Sequence, residues 1–219
     1  ILAGGKGSRI SEYTQDIPKP MIKIGEKPII WHIMNTYSKF GYKNFYIALG
    51  YKSEIIKQYF LNYQTYSYDF QINIKNKSIK MFDEQNEDWN VSLINTGINS
   101  MTGGRLKNLK KYIDDGPFFL SYGDSVGNVD LKKLYDFHKS HGKLVTVTAV
   151  RPQARFGELE ILDDNIVNKF QEKPQVKTGW INGGYFVIEP KFLDYIIDED
   201  TILEKNPLEN VAKEGQLMA

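Results

Sequence analysis

Apolar residues recur at helical spacing over residues 28–40, where Ile29, Ile30, Ile33, Met34, Tyr37 and Phe40 mark one face. Pro28 suits the first turn of that helix and Gly41 its end. Phe45, Ile47 and Leu49 then alternate as a strand, and Ser53 is placed to cap a helix carrying Ile55, Ile56, Tyr59 and Phe60. Phe70, Ile72 and Ile74 alternate again, and residues 91–95 repeat the strand pattern. Gly103-Gly104 opens a helix with Leu106, Leu109, Tyr112 and Ile113 on one face. Residues 117–121 are a short apolar run, as expected for a central strand covered on both sides. Asp130 can cap a helix through His138, which Gly142 ends, and residues 144–150 are strand-like. With residues 1–3 read as the end of a buried strand, strand and helix alternate over the first two thirds. That order predicts an α/β chain, a Rossmann-like layered fold with a mainly parallel mixed sheet. After Arg151 short strands dominate, at 158–162, 166–170 and 180–188. They predict a small antiparallel β excursion in the C-terminal third, covering the active edge of the sheet.

Composition changes this picture little. The 219 residues fit one α/β domain, taken as residues 1–219, and can bury an ordinary core without staples. Hydrophobic content of 41% and charged content of 25% are those of an ordinary globular chain. The net charge of +1, with no long block of like charge, argues against a nucleic-acid partner. No apolar run is long enough to cross a membrane. The absence of cysteine rules out disulfides and thiolate metal sites, and fits a cytoplasmic location. The chain starts inside a strand without an initiator Met, so residues are expected to precede it.

The candidate chemistry lies beyond the carboxyl ends of the strands, where open α/β sheets hold ligands. After residues 1–3 come Gly4, Gly5 and Gly7, which let backbone N–H groups approach a phosphate, then Ser8 and Arg9. A Walker A loop is absent, because both Gly-Lys pairs are followed by residues other than Ser or Thr, namely Gly7 and Leu144. A dinucleotide site would want an acid after the second strand, where Gly50-Tyr51-Lys52 stands instead. Lys19 sits between Pro18 and Pro20, which stiffen it into an extended segment. Asp124 closes the central strand, where a carboxylate can either hold Mg²⁺ or serve a turn. Glu172-Lys173-Pro174 ends one late strand and Asn182-Gly183-Gly184 lies in the next; the first pair suits sugar hydroxyls and a phosphate, or a solvated edge. Thr102 and Arg105 stand at a helix start that favours an anion, or Thr102 simply caps it. His32, His138 and His141 form no visible metal set or nucleophile–base pair.

These stretches, above all residues 2–9 with Pro18-Lys19-Pro20-Met21, resemble the sugar-phosphate nucleotidyltransferase family. Ser100-Met101-Thr102-Gly103-Gly104-Arg105, Tyr122-Gly123-Asp124 and Ile181-Asn182-Gly183-Gly184 are similar to its cytidylyltransferase branch. The resemblance implies transfer of a cytidylyl group from CTP to α-D-glucose 1-phosphate, with Mg²⁺ as cofactor. It implies that Leu2, Ala3, Gly4, Gly5, Gly7 and Ser8 hold the nucleotide and that Arg9 faces the leaving pyrophosphate. Lys19 would contact the α-phosphate, Asp124 bind the metal, and Thr102 and Arg105 line the nucleotide side. Tyr122, Glu172, Lys173, Asn182 and Gly183 would meet the sugar phosphate. The family commonly forms symmetric oligomers, so a homo-oligomer is expected. Ser125 departs from the Gly usual in this branch. The family continues past the segment resembling residues 215–219 with a second metal-binding Asp, so the C-terminal end of its domain is expected beyond Ala219. Two alternatives stay open: the same chemistry with dTTP, UTP or another sugar phosphate, and a silent nucleotide-sugar-binding regulatory protein.

Overall fold

The computed structural model describes residues 1–7, 16–82, 87–152, 158–161, 163, 165–172 and 179–219. Its strands, in chain order, are β1 (Lys23–Ile24), β2 (Lys27–Pro28), β3 (Asn44–Leu49), β4 (Phe70–Ile72), β5 (Ile79–Met81) and β6 (Asn90–Asn95). They continue with β7 (Phe118–Ser121), β8 (Val145–Val150), β9 (Glu158–Ile161), β10 (Val167–Gln171), β11 (Ile181–Ile188) and β12 (Leu217–Met218). The chain is mixed α/β.

Parallel pairing joins β3 to β6 and β8 to β12, and the other ladders are antiparallel. The four-stranded sheet runs β12-β8-β11-β7. Single parallel bridges tie Leu2 to Ala48 on one side and to Tyr122 on the other. The late strands do not all form an outlying excursion: β11 lies inside the main sheet, antiparallel between β7 and β8. An apolar run such as Tyr185-Phe186-Val187-Ile188 suits a central position in either direction, and here it fills the gap beside β7. Of the late strands, β9 and β10 pair with each other apart from that sheet.

Side chains alternate across these strands into two cores, as the two-residue repeat requires. Phe45, Ile47, Leu49 and Tyr185 join one cluster; Ala48, Leu120, Phe186 and Ile188 join the other. Helix Ile29–Ser38 packs Ile30, Ile33, Met34 and Tyr37 into the first cluster, together with Ile56 and Leu131. Leu106, Phe192 and Val211 enter the second. Both faces of the strands are therefore covered, and their carboxyl ends are left for a site.

The helix boundaries differ from expectation where capping decides them. Helix Leu131–His141 is capped as expected, Asp130 accepting from Lys133 N–H at 3.0 Å and Gly142 ending it at φ 64°. Helix Ser53–Leu61 is not capped by Ser53; Lys52 precedes it in left-handed geometry, with no side-chain cap bond. Thr102 likewise caps nothing, because Met101 holds the cap position of helix Thr102–Asn108 and the Thr102 hydroxyl bonds elsewhere.

Candidate active site

Beyond the carboxyl ends of residues 1–3 and β7 lies a cavity of about 800 Å³. Leu2, Ala3, Gly4, Gly5 and Gly7 form one wall, Lys19 and Pro20 a second, and Tyr122, Gly123, Asp124 and Ser125 a third. Ser100, Met101, Thr102, Arg105 and Glu204 close it. Distant sequence positions meet here: Gly123 N–H donates to Leu2 C=O over 2.8 Å, continuing the bridge from β7, and the Tyr122 hydroxyl donates to Glu204 Oε1 over 2.6 Å. A Cβ on Gly123 would stand 2.8 Å from that carbonyl oxygen and 3.1 Å from Pro20 Cγ, so this approach needs glycine.

The Lys19 ammonium lies 3.4 Å from Asp124 Oδ2. Lys19 is not in an extended run. It opens a 3-10 turn, Lys19–Met21, held by Met21 N–H to Pro18 C=O at 2.8 Å and Ile22 N–H to Lys19 C=O at 3.0 Å. The turn still fixes the lysine rigidly, and its side chain is only 18% exposed. The loop after Asp124 is clasped by a residue that sequence reading passed over. The buried Tyr185 hydroxyl accepts from Gly127 N–H at 2.9 Å and donates to Ser125 C=O at 3.4 Å. Among the described residues no group of three or more His, Cys, Asp or Glu gathers for a metal. Asp124 alone still fits Mg²⁺, which is commonly held by one or two carboxylates with water and substrate phosphates.

Arg105 lines the cavity, and its guanidinium is engaged by the protein's own carbonyls. It is only 4% exposed, and burial lowers its pKa. Its Nη1 shares two N–H groups among Leu49 C=O at 3.1 Å, Thr96 Oγ1 at 3.1 Å and Gly97 C=O at 2.6 Å, and Nη2 reaches Ile98 C=O at 3.4 Å. A Cβ on Gly4 would meet Nη1 at 2.2 Å. The guanidinium thus clamps strand ends from behind the glycine loop.

Asn182 and Gly183 lie outside the cavity lining, but Asn182 Nδ2 donates to the Tyr122 hydroxyl over 3.1 Å. Between Asn182 and Phe186 the register of β11 on β8 shifts, with Gly184 at φ 82°. Such a bulge re-aims a side chain near a site. Glu172, just past β10, is not among the lining residues. Ser8, Arg9 and Lys173 lie outside the described residues. Glu204 is the lining residue that sequence reading missed. It stands in Leu203-Glu204-Lys205 between loop and helix, where no spacing singles it out.

With this geometry in place, comparison with known proteins defines the class. Residues 1–213 match the nucleotidyl transferase family, and the chain belongs to it. It is 47% identical over 220 residues to the glucose-1-phosphate cytidylyltransferase of Salmonella typhimurium, covering all of this chain and 85% of that protein. It is 42% identical over 218 residues to a probable glucose-1-phosphate cytidylyltransferase of Bacillus subtilis, covering 99% of this chain and 85% of that one. Among solved structures, HddC from Yersinia pseudotuberculosis complexed with GMP-PN superposes with a TM-score of 0.63 at 27% identity, over 94% of this chain and 82% of that one. A UDP-glucose pyrophosphorylase complexed with UDP-glucose gives a TM-score of 0.64 at 16% identity, over 97% and 85%, which speaks to the fold alone. Members of this family typically use Mg²⁺. Among the described residues no helix is long and apolar enough to cross a membrane.

Proposed function

We propose that this protein transfers the cytidylyl group of CTP to α-D-glucose 1-phosphate, giving CDP-glucose and pyrophosphate. The observation that carries this is the 42–47% identity, over essentially the whole chain, to glucose-1-phosphate cytidylyltransferases. The cavity is compatible with it. A phosphate oxygen of the sugar phosphate attacks the α-phosphorus of CTP, and the bond from that phosphorus to the β-phosphate bridging oxygen breaks. Pyrophosphate leaves with the electron pair. The nucleophile is already an anion, so no general base is needed, and catalysis reduces to alignment and charge neutralisation.

In this reading Leu2, Ala3, Gly4, Gly5, Gly7 and Ser8 cradle the nucleotide, with Thr102 on the same side. Arg9 neutralises the departing pyrophosphate. Lys19 exchanges its Asp124 partner for the α-phosphate, where charge builds. Asp124 would hold Mg²⁺, which supplies positive charge to the triphosphate when bound. Tyr122, Glu172, Lys173, Asn182 and Gly183 orient the sugar phosphate. Arg105 acts by holding the loop behind the nucleotide.

The same reading takes residues 1–219 as one nucleotidyltransferase domain. Leu2 splices the two sheets into a Rossmann-like sheet with the site at its carboxyl edge. A cytoplasmic homo-oligomer belongs to it as well. Pyrophosphate release by the full-length protein, measured with CTP, UTP, dTTP and GTP against several sugar 1-phosphates, tests the reading. CTP with glucose 1-phosphate is the expected best pair. A clear preference for another nucleotide or sugar, or no release with any, overturns it.

A further inference from the structure

At one wall of the cavity, hydrogen bonds from separate chain segments converge on Glu204, and each has a fixed direction. Gly184 N–H donates to Asn182 Oδ1 over 2.8 Å. A backbone N–H only donates, so that atom is the amide oxygen and Nδ2 is free to donate in turn. Nδ2 donates to the Tyr122 hydroxyl oxygen over 3.1 Å, and Tyr122 O–H donates to Glu204 Oε1 over 2.6 Å. From the other side, Leu203 N–H donates to Thr102 Oγ1 over 2.9 Å, and Thr102 O–H donates to Glu204 Oε2 over 2.7 Å. Both lines start at a backbone N–H and end on one carboxylate, which only accepts when ionised. No member can be reversed without placing two donors face to face. The phenol proton stays in place, since burial first and then the Glu204 bond and charge raise the Tyr122 pKa.

We infer that Glu204 is a positioning residue for the sugar-phosphate half of the site, acting through Tyr122 to fix the side-chain amide of Asn182. The inference rests on the cytidylyltransferase reading above. With its oxygen held by Gly184 and one N–H held by Tyr122, Asn182 has a single remaining N–H, aimed by the β11 bulge, to offer a sugar oxygen. Glu204 touches no reacting atom. An amide at position 204 would present a donor to either Tyr122 or Thr102, and the Tyr122 proton would lose its fixed acceptor. Tyr122 could then turn its proton toward Asn182 and release the amide.

The test compares Glu204→Gln, Tyr122→Phe and the double variant in the full-length protein. Each single variant should raise KM for glucose 1-phosphate roughly tenfold to 100-fold, the loss expected when a hydrogen bond to a charged acceptor is removed. CTP affinity by calorimetry should stay near wild type, and the double variant should be no worse than the poorer single one, because both changes cut the same line. A melting temperature within a few degrees of wild type separates positioning from general loosening. Unchanged KM in folded variants, independent effects that multiply, or equal loss of CTP affinity would each overturn the inference. If Glu204→Gln does not fold, Glu204→Asp, which keeps the charge but draws the carboxylate back from Tyr122, takes its place with the same expected rise in KM. If the wild-type protein releases no pyrophosphate from CTP and glucose 1-phosphate, the activity reading fails. Calorimetry of glucose 1-phosphate on wild type and variants then still decides whether Glu204 governs binding on that side.

Discussion

Replacing Arg105 by Met separates a buried clamp from a substrate contact. The guanidinium's Nη1 shares its two N–H groups among Gly97 C=O at 2.6 Å, Leu49 C=O at 3.1 Å and Thr96 Oγ1 at 3.1 Å, which amounts to two full hydrogen bonds. Hydrogen bonds with a charged partner contribute about 1.5–3 kcal/mol each, so roughly 3–6 kcal/mol of gross interaction is lost. Against this, removing a charge that is only 4% exposed returns several kcal/mol of desolvation cost. Met fills much of the same volume beside Gly4 and Gly50, which limits the cavity left behind. A net loss of about 1–3 kcal/mol remains, which for a chain of this size lowers Tm by roughly 2–12 °C. Urea unfolding of wild type and Arg105→Met, with the midpoint and slope compared, measures it. The reasoning fails if the midpoint is unchanged while CTP affinity drops tenfold or more, because the guanidinium would then reach the triphosphate.

Lys19→Ala should lower kcat by about 10²–10³ with little change in stability, as expected when one electrostatic contact to a developing charge is removed; a folded variant with near wild-type turnover removes Lys19 from the mechanism. Asp124→Asn should demand far more Mg²⁺ for half-maximal turnover while retaining CTP binding, since an amide lacks the charge a hard cation prefers; superimposable Mg²⁺ titrations would show that Asp124 is no ligand. A pH effect on stability follows from the His138 and His141 pair. Lys143 N–H donates to His141 Nδ1, His141 Nε2 lies 2.8 Å from Thr146 Oγ1, Thr146 lies 2.8 Å from His138 Nδ1, and His138 Nε2 lies 3.3 Å from Glu189. Burial, more than Lys143 beside His141, lowers both imidazole pKa values, and it outweighs the opposing pull of Glu189 on His138. As pH falls through about 6.5 the unfolded histidines take up protons first, so stability falls below that point and is full above it. A urea midpoint at pH 5.5 equal to or above that at pH 7.5 would contradict this.

Much of this architecture was legible in local pattern. The Ile30, Ile33, Met34 and Tyr37 face, the Asp130 cap and the apolar run before Asp124 each depend on near neighbours in the chain, and each stands where expected. What was not legible depends on distant partners. The direction of β11 is one such case, because an apolar run looks the same parallel or antiparallel. Glu204 is another: its partners Tyr122 and Thr102 lie 82 and 102 residues away. The histidine line is a third, since Thr146 lies on β8 and Glu189 just past β11, both outside the helix carrying His138.

The glycines show why residue type alone reads a site incompletely. Gly4, Gly5 and Gly7 suggested one common purpose, close approach of backbone to phosphate. Gly4 also answers to its protein neighbour, since Arg105 Nη1 would lie 2.2 Å from any Cβ there. Gly7 is required by its backbone, at φ 66°. Gly5 faces open space, with nothing within 4 Å of an added Cβ. An Ala at Gly5 should therefore fold normally and report purely on nucleotide binding, whereas Ala at Gly4 must displace Arg105 and reproduce the instability of Arg105→Met. If Gly4→Ala and Gly5→Ala prove equally stable, the clamp does not set the position of the loop, and Arg105 belongs to the ligand after all.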